Sequence, residues 1–251
     1  MATDTATAVA RIQEFAELIR RGTAEAQGNT AFAAGQTWVP VEFGDAIRAA
    51  FADYAATVRW LLTRVDELVA GAPVVDVLDA AADQWSPMGT RLAAAGDELA
   101  GLVTGLAESW EGRGGAGYAD VIGPQVEAVA LAGQVAGGAA RATVVLAGAG
   151  RTLYLALAVA LGGFAAAVNG LPRGMASAQS APAALAVAAG AASSLVDYVG
   201  RCAQALDRQV SAAAAAVTAL TGSATDPAVY PGGGWPSPTT GPTGPTIAGS
   251  P

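Results

Sequence analysis

The chain has 251 residues, of which 21 are acidic and 13 are basic, and it contains no histidine. Its net charge of −8 disfavours binding to nucleic acid or to an anionic membrane through bulk electrostatics. The missing imidazole excludes every function that needs a histidine, and the single cysteine, Cys202, excludes an intrachain disulfide framework.

Charge is distributed unevenly along the chain. Residues 1–127 hold 18 of the 21 acidic residues, whereas residues 142–196 contain only two charged residues, Arg151 and Arg173. The first half therefore predicts a solvated acidic surface, and the second half is either buried in the protein or lies in a membrane. The N-terminal segment has no basic stretch followed by an apolar run, so we expect no cleaved secretory signal.

The first 75 residues have the periodicity of two amphipathic helices. Apolar side chains recur at spacings of three and four, with charged residues on the opposite face. The first stripe consists of Val9, Ile12, Phe15, Ala16 and Ile19, and the second of Phe43, Ile47, Phe51, Tyr54, Val58, Leu61, Val65 and Leu68. We predict that residues 1–75 form an N-terminal helical hairpin.

A second domain is predicted over residues 76–222. After a short acidic helix, Ser86 and Pro87 are typical of an N-cap and of a first helical position, so they predict a helix start. The helix that follows has a narrow apolar seam, formed by Leu92, Ala95, Leu99, Leu102, Leu106 and Trp110. A seam of this kind is suited to packing against another helix.

The rest of the chain is predicted to contain two more helices and a tail. A helix resumes near Gly117, runs on from Pro124 and breaks at residues 169–174, because Asn-Gly followed by Pro is strong turn chemistry. The last helix occupies about 181–220, and residues 223–251, rich in Pro, Gly and Thr, predict a disordered tail. Sustained strand alternation is absent from the sequence. The predicted fold is all-α, an elongated helical bundle built from helical hairpins, with a disordered C-terminal tail.

Two aromatic residues flank a glycine-rich gap within the second domain. Trp110 and Gly112 are followed by Tyr118, eight residues after the tryptophan. Glycines allow the chain to reverse here because positive φ costs them little. We expect Trp110 and Tyr118 to pack across the turn and fix the crossing of the two helices. An ordinary helix–helix turn with one anchoring tryptophan would explain the same residues.

Trp110-Glu111-Gly112 with Tyr118, set between two long Ala/Leu-rich helices, resembles the signature of the WXG100 (ESAT-6-like) superfamily of type VII secretion in actinobacteria and firmicutes. The resemblance covers about residues 86–150. It implies a hairpin that pairs with another hairpin into a four-helix, coiled-coil-like bundle and is secreted, or serves as a targeting and structural module. No catalytic, cofactor-binding or metal site comes with it.

The resemblance also implies partners and a location. The partners are a protein of similar helical-hairpin type or further copies of this chain, together with the type VII secretion machinery. The protein is expected to be secreted or at the cell surface without a cleaved signal peptide. A cytoplasmic or membrane-associated location is the alternative.

The chain departs from this family in its length, its additional N-terminal hairpin and its apolar stretch. The family's secretion signal, Tyr-x-x-x-Asp/Glu, is missing, because the residues four positions after the five tyrosines are Val58, Ile122, Ala158, Cys202 and Gly234. Either a partner carries the signal, or the secretion machinery does not recognise this protein directly. Within the chain, residues 1–70 could pack against the WXG hairpin in place of a partner.

Residue types suited to catalysis are sparse. Cys202 has no histidine to act as its base. Residues 112–117 have the glycines of a phosphate loop but lack a preceding strand and a Lys-Ser/Thr ending. Metal ligands with useful spacing are absent. We therefore predict a non-enzymatic interaction protein with no cofactor and no metal.

The alternative function is membrane insertion, like that of a pore-forming protein, through residues 144–195. The run from Thr152 to Val168 is 17 residues long, at the lower edge of a membrane span, and Arg151 at its boundary could snorkel to the surface. A following Gly/Ala-rich segment could return through the bilayer by close helix packing. A helix that is apolar all round is also typical of a bundle core. Both interpretations are therefore carried forward.

Overall fold

The computed structural model describes residues 2–109 and 113–236, and almost all of these residues are helical. Five α-helices follow one another along the chain, with no strand among the described residues. They are α1 (Ala2–Ala34), α2 (Val41–Ala70), α3 (Pro73–Ser109), α4 (Arg113–Gly174) and α5 (Ala181–Ala224), followed by a 3₁₀ turn at Pro231–Gly233. Alanine and leucine, which dominate these segments, are among the strongest helix formers. The predicted all-α fold is confirmed.

The described residues form two compact units. Unit 1 contains residues 2–77 and 147–209, and unit 2 contains residues 78–146 and 210–236 apart from the gap at 110–112. Helices α3, α4 and α5 each contribute residues to both units. The apolar segment 147–209 therefore belongs to the same unit as α1 and α2, whereas the sequence grouped it with the WXG hairpin.

The first pair of helices in unit 1 forms the predicted N-terminal hairpin. The predicted apolar stripes are largely buried, with Ile12 and Ile19 on α1 and Leu61 and Val65 on α2 shielded from solvent. Burying side chains of this size contributes roughly 1.5–3 kcal/mol each. These large side chains form the apolar surface on which the alanine-rich helices of unit 1 can pack.

The C-terminal half of α4 belongs to unit 1, and one face of it is buried there. Leu157, Leu161 and Val168 are buried there. The contact with α1 is close: a Cβ placed on Gly162 would lie 3.1 Å from the Phe15 ring. The opposite, outer face of this half of α4 exposes apolar side chains to solvent.

Ser86 and Pro87 do not begin a helix, and this prediction is wrong. Helix α3 starts at Pro73 and continues through Pro87. A proline inside a helix removes the hydrogen bond to the carbonyl four residues earlier, which belongs to Asp83. Both Pro87 and Asp83 are exposed, so water can satisfy that carbonyl. The continuous helix is therefore tolerated, and the predicted short acidic helix is its first part.

Residues 169–174 do not interrupt α4 either, contrary to the sequence prediction. The helix continues to Gly174 and the turn follows it. Two tertiary interactions hold the last helical turn, since Leu171 is buried and the Asn29 Nδ2 donates a 2.7 Å hydrogen bond to the Pro172 carbonyl. Tertiary packing here overrides the local turn preference of Asn-Gly-Leu-Pro.

Candidate interaction surface on the α3–α4 hairpin

The predicted WXG turn lies largely outside the described residues. Trp110 and Gly112 are not described, and neither is the expected packing of Trp110 against Tyr118. The structure places Tyr118 in the first turns of α4, with 37% of its surface exposed. Helix α3 ends at Ser109 and α4 begins at Arg113, so the motif stands in the sequence between two long helices.

Beyond this junction, α3 and α4 approach closely through glycines. A Cβ on Gly89 of α3 would lie 3.1 Å from the backbone nitrogen of Gly137 on α4. A Cβ on Gly133 would lie 3.4 Å from the backbone nitrogen of Ala93. A side chain at Gly89 would require α4 to shift, because the neighbouring atom belongs to the backbone, whereas a Cβ at Gly133 would only reach ordinary van der Waals contact. The sequence analysis did not identify these contacts, although Gly133 and Gly137 lie four residues apart, on one face of a helix.

The close contact leaves unit 2 with few large buried side chains. The largest fully buried side chains of the described chain all belong to unit 1. The buried apolar residues of unit 2 are mostly small, namely Ala82, Ile122, Ala128, Val129, Ala136 and Ala140. The α3–α4 hairpin therefore buries less apolar surface than its leucine content would allow.

The apolar seam predicted on α3 remains partly open. Leu92, Leu99 and Leu106 are only half-buried, and Leu102 is 55% exposed. A seam that packs fully within one chain would bury these leucines, since leucine is among the residues most often found inside. The described part of unit 2 thus presents a row of leucines with free apolar surface along α3.

A C-terminal segment docks on α4 in the same unit, and the sequence analysis did not predict it. The Tyr230 hydroxyl donates a 2.8 Å hydrogen bond to the Ala128 carbonyl, and the Tyr230 and Trp235 rings pack with centroids 6.2 Å apart. Gln125 Nε2 donates to the Pro236 carbonyl at 3.5 Å. The tail predicted over 223–251 is therefore helical to Ala224 and docked to Pro236, and its remainder lies outside the described residues.

The candidates for metal binding or reaction among the described residues are carboxylates and the thiol of Cys202. Among them, no three His, Cys, Asp or Glu side chains lie together in a way that could hold a metal ion. Cys202 is a half-buried free thiol. Burial, followed by the neighbouring Cys202 thiol, raises the pKa of Tyr198. These two side chains lie four residues apart on α5 and contact each other.

An open groove of about 670 Å³ lies between α1 and α4 in unit 1. Phe15, Leu155, Val159 and Gly162 line its apolar part, and Arg11 is among the polar residues. Val159 is 78% exposed, so the groove continues onto the outer face of α4. This exposed apolar surface is relevant to the alternative of membrane insertion.

No family model, curated protein or solved structure matches the chain. The likeness to WXG100 proteins therefore rests on Trp110, Gly112 and Tyr118 and on their position between two long helices.

Proposed function

We propose that this chain is a non-enzymatic helical interaction protein associated with type VII secretion, and that its α3–α4 hairpin binds a protein partner of similar hairpin type. The observation that carries the proposal is the open seam on α3, where Leu102 is 55% exposed and the neighbouring seam leucines are half-buried. The Trp110-Glu111-Gly112 signature at the junction of the two helices supports the assignment to this class.

The proposed binding follows from how α3 and α4 pack. Glycine contacts bring the two backbones together beside Leu92, and the seam leucines further along α3 keep part of their surface exposed. A second hairpin laid along α3 would remove their apolar surface from water at about 25 cal/mol per Å². Knobs-into-holes packing of leucines at spacings of three and four is the ordinary way in which such a seam is covered.

The proposal includes a location and a route. The protein would be exported without a cleaved signal peptide, or retained as a targeting or structural module, with the secretion machinery as its second partner. Because no tyrosine is followed by Asp or Glu four residues later, the bound partner would carry the export signal. Export would then depend on formation of the complex.

Co-expression with small WXG-type hairpin proteins encoded by neighbouring genes tests the binding. The full chain should co-purify with one of them, and Leu102→Asp should abolish the complex without unfolding the chain. Thr104→Asp is the matched control, because Thr104 is exposed on the opposite face of α3. Failure to form any complex, or equal binding by both variants, would contradict the proposal.

Membrane insertion is the second candidate function, and the outer face of α4 favours it. Two described segments, 122–174 and 181–224, are long and apolar enough to cross a membrane. Only 39% of the most apolar window of the first is buried, and Leu155 and Val159 are exposed on its surface. A segment that served only as a bundle core would bury a larger share of its apolar surface.

Flotation with phosphatidylcholine vesicles separates the two functions. An interaction protein should remain at the bottom of the gradient at neutral pH. A membrane-inserting protein should float with the vesicles, and Val159→Asp should prevent this, because a carboxylate is costly in the bilayer. Flotation that Val159→Asp abolishes would favour insertion over the interaction proposal.

A further inference from the structure

The groove between α1 and α4 in unit 1 has the size of a small-molecule site. Its volume of about 670 Å³ lies within the range of ligand pockets, roughly 300–1,000 Å³. The two helices run in the same direction along it, since Phe15 lies beside Gly162 and Gly22 lies beside Val168. Its lining on α1 extends from Thr7 to Phe15, which corresponds to roughly 12 Å of helix. The groove is therefore long enough for one short alkyl chain.

Apolar side chains line the groove from both helices. Phe15 lies on α1, and Leu155 and Val159 lie four residues apart on one face of α4. Leu155 is 48% exposed and Val159 is 78% exposed. A ligand in the groove would therefore cover apolar surface that the described chain leaves in contact with water.

Two opposite charges line the same groove. Arg11 and Glu14 lie three residues apart on α1, a spacing that suits an ion pair. Neither of them forms an ion pair with a described residue. Arg64 and Glu67 have the same order and spacing on α2, and they pair at 2.6 Å. Arg11 and Glu14 thus keep both charges available to a ligand.

These charges indicate a zwitterionic ligand. An anionic headgroup would be attracted by Arg11 but repelled by Glu14, and the reverse holds for a cationic headgroup. A phosphocholine group carries both charges. Its phosphate matches the guanidinium fork of an arginine. Its quaternary ammonium is attracted by a carboxylate and by an aromatic ring, and Phe15 provides such a ring next to Glu14.

We propose that this groove binds one molecule of a single-chain zwitterionic amphiphile of the alkylphosphocholine type. Arg11 binds the phosphate, and Glu14 binds the quaternary ammonium beside the Phe15 ring. The alkyl chain covers Leu155 and Val159. The site does not rest on the proposed function, because the α3 seam belongs to unit 2. Uptake of a single molecule also differs from membrane insertion, in which residues 144–195 would enter a bilayer.

Isothermal titration calorimetry of the full chain with decylphosphocholine, below its critical micelle concentration, tests the site. Binding should saturate at one molecule per chain. Arg11→Gln should weaken it by more than about tenfold, since a hydrogen bond to a charged group is lost. Glu14→Gln should weaken it by a smaller factor, because a quaternary ammonium donates no hydrogen bond. Arg21→Gln and Glu25→Gln are the matched controls and should bind normally, since both positions are exposed on α1 outside the groove.

Amphiphiles with the same chain and a different headgroup test the charge argument. Decyl sulfate and decyltrimethylammonium each carry one of the two charges, and both should bind more weakly than decylphosphocholine. Val159→Asp should also weaken binding of decylphosphocholine, because it places a carboxylate against the alkyl chain. Circular dichroism should show equal helicity for all variants. No saturable binding, equal affinity for the three amphiphiles, or equal affinity of Arg11→Gln and Arg21→Gln would overturn the proposal.

Two further measurements separate this site from the other surfaces. The chain should not float with phosphatidylcholine vesicles, and flotation that Arg11→Gln abolishes would overturn uptake of a single molecule in favour of docking on a bilayer. Leu102→Asp should leave the affinity for decylphosphocholine unchanged, and Arg11→Gln should leave binding of a WXG-type hairpin intact. Failure of either interaction alone therefore identifies which of the two proposals is wrong.

Discussion

The Tyr154 hydroxyl donates a 2.8 Å hydrogen bond to the backbone carbonyl of Leu68. The same carbonyl accepts a 3.0 Å bond from the Gly71 amide, so α4 contributes to closing the C-terminal end of α2. Tyr54 provides a contrast, since it is buried and its hydroxyl makes no hydrogen bond of normal geometry to a described residue, although the Thr23 hydroxyl lies nearby. Two tyrosines of one unit therefore differ in whether their polar atom is satisfied.

Replacing each of these tyrosines by phenylalanine should have different effects. Tyr154→Phe leaves a helix-end carbonyl with one partner fewer and should lower the free energy of unfolding by about 1 kcal/mol. Tyr54→Phe removes a buried hydroxyl without a partner and should be neutral or stabilising. Urea unfolding followed by circular dichroism measures both. A larger loss for Tyr54→Phe would show that its hydroxyl is satisfied.

The same tyrosines predict sensitivity to alkaline pH. Burial raises the pKa of Tyr54, opposed by the nearby Thr23 hydroxyl, and burial also raises the pKa of Tyr154. A raised folded-state pKa means that the unfolded chain loses its tyrosine protons first, so stability is full below about pH 10 and falls above it. The double variant Tyr54→Phe/Tyr154→Phe should lose less stability between neutral pH and this range. An equal loss in both proteins would contradict the prediction.

The helices of unit 1 could be predicted from the sequence because their periodicity and their burial agree. Ile12 and Ile19 recur on the face that the tertiary structure covers. Pro87 and the segment 169–174 could not be predicted, because their local preferences are overridden by a solvated helix face and by the burial of Leu171. Local propensity is a weaker influence than packing in both cases.

The candidate interaction surface was only partly predictable. The spacing of Leu92, Leu99 and Leu102 located the seam, but spacing does not reveal whether the opposite helix covers it. That depends on the contact between Gly89 and Gly137, which brings the backbones together without filling the seam. The docked segment at Tyr230 was obscured by its Pro/Gly-rich composition, which is also typical of disorder.

Tyr230 should anchor the C-terminal segment. Tyr230→Ala removes the hydrogen bond to Ala128 and the ring contact with Trp235, leaving little to hold the segment in place. Backbone amides of residues 226–235 should then exchange with deuterium faster, while the amides of α4 keep their protection. Pro227→Ala, at an exposed position in the same segment, is the control. Unchanged exchange in Tyr230→Ala would show that other contacts hold the segment.

Two glycines in the N-terminal hairpin should respond oppositely to the same substitution. A Cβ on Gly44 would lie 2.6 Å from the Ala34 carbonyl oxygen, a backbone atom that can move only if the hairpin opens. Gly44→Ala should therefore cost about 1–3 kcal/mol. Gly28 lies within α1 with no atom near the position of its Cβ, so Gly28→Ala should stabilise by about 0.5–1 kcal/mol through helix propensity. The midpoints of thermal unfolding of the two variants should move in opposite directions.

A destabilised Gly28→Ala would mean that α1 has a neighbour at this position. An unaffected Gly44→Ala would mean that α1 and α2 do not approach as closely as the contact between Gly44 and Ala34 requires.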